Sequence, residues 1–147
     1  MAAKNIIKVG RTKDANGHPH NGPEVEKTKA QTGDTIQFSN GRRAQALVIF
    51  SEGTVGLAVK APPQPGSSLT AVGDAMVLTV PPSTPPGGGG GRDNPGISSE
   101  LTVTELVAGK FCSRHFEIVY VNDYNPVDAG FGASGGGGQD PEIIIVP

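Results

Sequence analysis

The sequence predicts an all-β chain, an antiparallel β-sandwich of about eight or nine short strands. Three observations carry this. Apolar and β-branched residues come in short runs bounded by turn-forming residues. Glycine and proline, 22 and 13 of the 147 residues, fall near so many boundaries that no helix extends beyond a turn or two. No stretch reads as a convincing helix. The length is that of one domain, residues 1–147, large enough to bury a core.

Residues 6–9 form the first strand and 25–30 a weakly patterned second. Residues 35–39 alternate, with Ile36 and Phe38 on one face. Asn40-Gly41 follows and predicts a hairpin. Residues 44–50 are apolar apart from Gln45, as a buried central strand requires. Strands at 56–60, 76–80, 101–106, 116–121 and 143–146 complete the set. Two Gly/Pro-rich loops, 81–95 and 122–141, interrupt the rhythm. The first, PPSTPPGGGGGRDNP, buries too little surface to fold by itself and is expected in solvent. The second carries Gly135 to Gly138 and is long enough to be a binding or decorative segment.

A net charge of −2, without blocks of like charge, gives no general attraction to nucleic acid or anionic membrane. Five Phe, two Tyr and no Trp supply no base-stacking platform. No run reaches the roughly 18 apolar residues of a membrane span. The first residues, MAAKNIIKVGRTKD, lack the apolar core of a signal peptide, so a cytoplasmic location is expected. A chain whose leader had been removed would be periplasmic or extracellular. The lone Cys112 forbids an intrachain disulfide, which fits a reducing compartment.

The segment TGDTIQFSNGRRAQALVIF, 32–50, carries a Gly-Asp-Thr-apolar-x-Phe-x-Asn element at Gly33 to Asn40. Ala108-Gly109-Lys110-Phe111 looks like a turn before a late strand, and 142–146 like a closing strand. In these elements the chain resembles the cupredoxins, the blue-copper proteins, over about two-thirds of its length in pattern. The resemblance implies an antiparallel Greek-key sandwich and, in the family, a type 1 copper centre. Such a centre needs two imidazoles and a thiolate, with a weak axial Met. Cys112 and His115 have the family's Cys-x-x-His look. The upstream His is absent: Gln45 or Ala46 stands in that region. No Met follows Cys112, the last being Met76. Residues three apart in a strand point to opposite faces, so Cys112 and His115 share an ion only if Ser113-Arg114 turns.

Other constellations carry less. His18 and His20 present two imidazoles in a turn-rich loop and need a third ligand to hold a metal. Gly132-Ala133-Ser134-Gly135-Gly136 matches the nucleophile-elbow pattern, without the strand–helix turn that makes it work. Asp123, Asn125, Asp128 and Asp140 offer hard oxygens for calcium, at spacings that also suit Asx turns. Arg42-Arg43 reads as solubility or edge-strand charge. The closing run Glu142-Ile143-Ile144-Ile145-Val146 wants cover on both faces, so it is either a central strand or packs on another chain.

The expected function is therefore non-enzymatic: a structural or binding module of cupredoxin-like fold without a competent copper site. Its partner is a protein or a second copy. The alternative is a copper-binding electron-transfer or carrier protein using Cys112 and His115, completed by His18 or His20.

Overall fold

A computed structural model describes residues 2–9, 12–13, 19–20, 27–51, 53–54, 56–86, 94–104, 112–121 and 142–146. Among the described residues there is no helix, and fourteen strands replace the eight or nine expected. They are β1 (Lys4–Val9), β2 (Thr12–Lys13), β3 (Pro19–His20), β4 (Lys27–Gln31), β5 (Thr35–Asn40), β6 (Ala46–Phe50) and β7 (Leu57–Val59). There follow β8 (Leu69–Val72), β9 (Ala75–Val80), β10 (Gly96–Ile97), β11 (Leu101–Val103), β12 (Cys112–His115), β13 (Glu117–Tyr120) and β14 (Glu142–Val146). Part of the excess comes from two-residue ladders at β2, β3 and β10, too short to leave an apolar run in the sequence.

One sheet has the order β1-β5-β11-β7, with β10 also on β5. A second runs β12-β14-β4 and a third β13-β6-β9-β8, while β2 pairs with β3 alone. Pairing is antiparallel except for β1 with β5 and β4 with β14. The second and third sheets share one stretch of chain. Residues 112–115 pair with β14, Phe116 intervenes, and residues 117–120 pair with β6. The expected strand at 116–121 is thus the latter half of a longer extended segment.

The sheets meet over one apolar core. Phe38 of β5, Phe50 of β6 and Phe116 are all buried, and their rings touch pairwise. Phe38 meets Phe116 edge-on at 5.3 Å between centroids and Phe50 at 6.5 Å, and Phe50 lies 5.8 Å from Phe116. Such offset and T-shaped contacts suit the ring quadrupoles. Around them pack Ile7, Ile36, Val48, Leu78, Ile118 and Ile143, each with 1 % exposure or none. β6 is central, as its apolar run predicts, between β13 and β9. β5 is buried on both faces rather than on one, because Thr35 and Gln37 are covered as well as Ile36 and Phe38.

The Asn40-Gly41 hairpin does not form. β5 and β6 belong to different sheets, so the chain crosses between them instead of reversing. Fully buried Asn40 makes the bend. Its Nδ2 donates to the carbonyls of Ala44 (2.8 Å) and Pro81 (3.1 Å), and its Oδ1 accepts from the Arg42 N–H (2.9 Å). An Asx side chain here replaces the turn backbone. The true two-residue hairpin joins β8 to β9 through Gly73-Asp74, with Gly73 at φ +64° as primed turns require. Nor are Arg42 and Arg43 edge-strand charges. They lie in the bend after β5, and Arg42 is buried with its guanidinium 5.2 Å from the centre of the Tyr120 ring. β14 takes the central alternative, flanked by β12 and β4, with Ile143 and Ile145 fully buried.

Polar side chains fix the corners. The turn after β4 delivers the chain into β5, and Asp34 sits in it. Its Oδ1 accepts from the Ala3 N–H (2.8 Å) and its Oδ2 from the Gln31 N–H (2.9 Å). Its backbone C=O accepts from Val103, and the neighbouring Gly33 N–H donates back to the Val103 C=O, both at 2.8 Å. The two side-chain bonds hold the carboxyl below its ordinary value of 3.8. Across β5, Ser98 Oγ accepts from the Phe38 N–H and the Ser98 C=O accepts from Gln37 Nε2, both at 2.9 Å. Ser99 Oγ accepts from the Gln64 N–H (2.9 Å), tying in a distant loop. The 81–95 loop is less solvated at its base than composition implies. Ser83 is buried, and Thr84 and Asn94 exchange two backbone bonds of 2.9 Å. Gly96 lies so close to Pro81 that an added Cβ would meet the Pro81 carbonyl oxygen at 1.9 Å. The 122–141 loop lies outside the described residues.

Two outcomes follow. Phe38→Ala should lower stability by about 3–5 kcal/mol in urea unfolding, whereas Val72→Ala, at an exposed position, should stay within about 0.5 kcal/mol. Asp34→Asn should destabilise the fold in a pH-dependent way. Because the folded carboxyl is depressed, its contribution is present above pH 3.8 and fades as pH falls through the folded value. Parent and variant melting curves should therefore be furthest apart near neutrality and converge in acid. A pH-independent gap would contradict this role.

Candidate functional site

The densest group of chemistry-bearing side chains among those described lies across β12, β14 and β4. In β14, Ile143 and Ile145 face the core and alternate with Glu142 and Ile144. His115 stands directly opposite Glu142, and Glu142 opposite Lys27, so the three form a row across the sheet. Ser113, two residues from His115, shares its face. The Ser113 hydroxyl donates to Glu142 Oε2 in a short hydrogen bond. His115 Nε2 lies 3.3 Å from both Ser113 Oγ and Glu142 Oε2. Lys27 Nζ stands 3.6 Å from the other carboxylate oxygen. The Glu142 side chain is 13 % exposed and that of His115 40 %.

These residue types suggest a Ser–His–carboxylate relay, but the geometry is different. A relay places hydroxyl and carboxylate on opposite imidazole nitrogens, so that one orients the ring while the other gives up its proton. Here both approach Nε2, and the hydroxyl proton is already directed at the carboxylate. The group acts as a polar clasp joining three strands. Lys27 is 59 % exposed on its side chain, so its ion pair adds little, about 0–1 kcal/mol.

Of the four residues singled out for metal, only His115 has a described side chain, and its partners include Ser113 and Glu142. Cys112 stands in register with Ile145; its side chain, like that of His20, lies outside the described set. His20 pairs through its backbone with Thr12 in the β2–β3 ladder, and His18 is outside the described residues. Ser113 and Arg114 are strand residues, so the turn that Cys112 and His115 need to share one ion is not formed there. In the region where the resemblance places an upstream ligand, Ala46 is fully buried and the Gln45 carbonyl accepts from the Val121 N–H (2.9 Å). Ser134 and the loop residues Asp123, Asn125, Asp128 and Asp140 lie outside the described residues, as do 108–111.

Sequence reasoning missed Ser113 and Glu142. The available signal was parity: Ser113 and His115 are two apart, and Glu142 opens a strand whose alternate residues are core isoleucines. The pairing of segments 29 residues apart had no local sign. No family model matches the chain, and no curated protein matches it.

The clasp predicts unequal effects. Glu142→Ala should lower stability by about 1–3 kcal/mol, because Ser113 and His115 lose a shared, largely buried acceptor. Lys27→Met should change it by less than about 1 kcal/mol. Urea unfolding of both variants reads the difference, and equal losses would show that the ion pair rather than the buried acceptor carries the clasp.

Proposed function

We propose that the chain is a non-enzymatic structural or binding module, a cupredoxin-like β-sandwich without a competent type 1 copper site, whose partner is a protein or a second copy. The observation that carries this reading is the architectural use of the Gly33–Asn40 element on which the resemblance rests. Asp34 clamps three strands, Ile36 and Phe38 fill the core, Gln37 bonds Ser98, and Asn40 makes the bend between sheets. Each conspicuous residue of the motif is spent on holding the fold. Sheets packed over a common core, with mostly antiparallel pairing, support the sandwich. The chain's most reactive-looking described group, Ser113 with His115 and Glu142, is likewise bonded as a clasp.

Copper(II) added to the reduced protein tests this directly. The expected result is no strong visible absorbance from thiolate-to-copper charge transfer. A strong band that disappears in Cys112→Ser would overturn the reading and establish a copper protein with an unusual ligand set.

A further inference from the structure

The strands at the ends of the sheets are guarded unequally. β1 carries Lys4 and Lys8, β4 carries Lys27 and Lys29, β12 carries Arg114, and β13 carries Glu117. β7 has three residues and runs directly into Lys60. β8, Leu69-Thr70-Ala71-Val72, has no charge and no proline, and the whole segment 61–73 is uncharged. Charge and proline are the usual means by which an edge strand is kept from pairing with another chain.

The backbone of β8 is also correctly spaced for such pairing. The Thr79 N–H donates to the Ser68 carbonyl at 2.9 Å, so 68 and 79 form a hydrogen-bonded pair. By alternation so do 70 with 77 and 72 with 75. Leu69 and Ala71 therefore direct their N–H and C=O groups away from β9. Among the described residues no hydrogen bond reaches those four groups. Thr70 is exposed, and Val72 is 61 % exposed.

We propose that two copies of the chain associate by antiparallel pairing of β8 with β8, with Thr70 facing its own copy across a twofold axis. The occupant is a second copy because the edge is complementary to itself. The two outward-pointing residues flank Thr70 symmetrically, so Leu69 exchanges a pair of hydrogen bonds with the partner's Ala71, and Ala71 with the partner's Leu69. Antiparallel juxtaposition brings no like charges together, and it places two threonines opposite one another, a favourable cross-strand pair. The resulting sheet runs β13-β6-β9-β8 into the same four strands reversed. This rests on the self-association included in the proposed function and assigns it an edge.

Sedimentation velocity across the micromolar range tests it. The parent chain should move from monomer toward twice the monomer mass as concentration rises. Thr70→Lys, which sets two ammonium groups against each other on the axis, should weaken association by at least about tenfold. Ile6→Lys, at an exposed position of β1, should leave it unchanged. Thr70→Cys should form an intermolecular disulfide on mild oxidation, with the cross-linked peptide identified by mass spectrometry, because facing residues of a non-hydrogen-bonded pair are about 4.5 Å apart at Cα. A dimer indifferent to Thr70→Lys, or one that Thr70→Cys does not cross-link, overturns the β8 assignment while leaving self-association standing. A strict monomer overturns both.

Discussion

The arrangement depends on the corner at Asp34. Three residues separate the end of β4 in one sheet from the start of β5 in another, and this short turn must also meet the beginning of β1 and the end of β11. Four segments converging in so little space leave backbone donors that no ladder can satisfy. A carboxylate has two oxygens and no proton to give, so one side chain accepts from Ala3 and from Gln31 at once. The neighbouring backbone completes the junction with Val103. Once this corner is closed, β5 is held between β1 and β11 with both faces covered. Its aromatic residue then meets Phe50 and Phe116 across the core.

Elsewhere the same economy recurs with hydroxyls and amides. Ser98 serves both partners of its segment: its backbone N–H donates to the Phe38 carbonyl while its side chain accepts from the Phe38 N–H. Ser99 Oγ accepts from a loop more than thirty residues away in sequence, and its own backbone N–H donates to Ser67 Oγ. A buried polar group left alone is expensive, and one bonded to backbone is nearly neutral while fixing geometry. Small polar residues consequently do here what longer strands do in other β proteins. At β10 the adjoining Ser98 reinforces a ladder only two residues long. Ser113, His115 and Glu142 extend the practice to a sheet face, where one carboxylate meets a hydroxyl and an imidazole of the neighbouring strand.

The strand content was legible wherever a run was apolar and long enough. Residues 6–9, 35–39, 44–50, 76–80 and 143–146 all lie in or around observed strands, since alternation and β-branching act within the run itself. What escaped was decided by distant contacts. Asn40-Gly41 has the composition of a hairpin, but β5 pairs with β1, β10 and β11 and not with the next strand, so tertiary pairing overrode the local signal. The hairpin at Gly73-Asp74 joins a four-residue strand with little burial, Leu69–Val72, which leaves no long apolar run in the sequence. Arg42 looked like surface charge because nothing nearby in sequence announces Tyr120 as its neighbour. For the candidate site, His115 was visible as a residue type, whereas Ser113 and Glu142 gained meaning only from register. Cys112, His18 and His20 were legible as metal-ligand types, but what surrounds their side chains lies outside the described residues.

The stem beneath the 81–95 loop has a use of its own. Thr84 and Asn94 face each other as a hydrogen-bonded pair with both backbone bonds made, a geometry that sets Cα atoms about 5.5 Å apart. Below them the chain is locked: the Ser83 N–H is bonded to the Arg42 carbonyl, and Gly96 leaves no space beside Pro81. Loop-closure entropy grows only slowly with length once the ends are fixed. The cost of closing the segment between these anchors is therefore met largely at the stem, where paired backbone and close packing hold the two ends together.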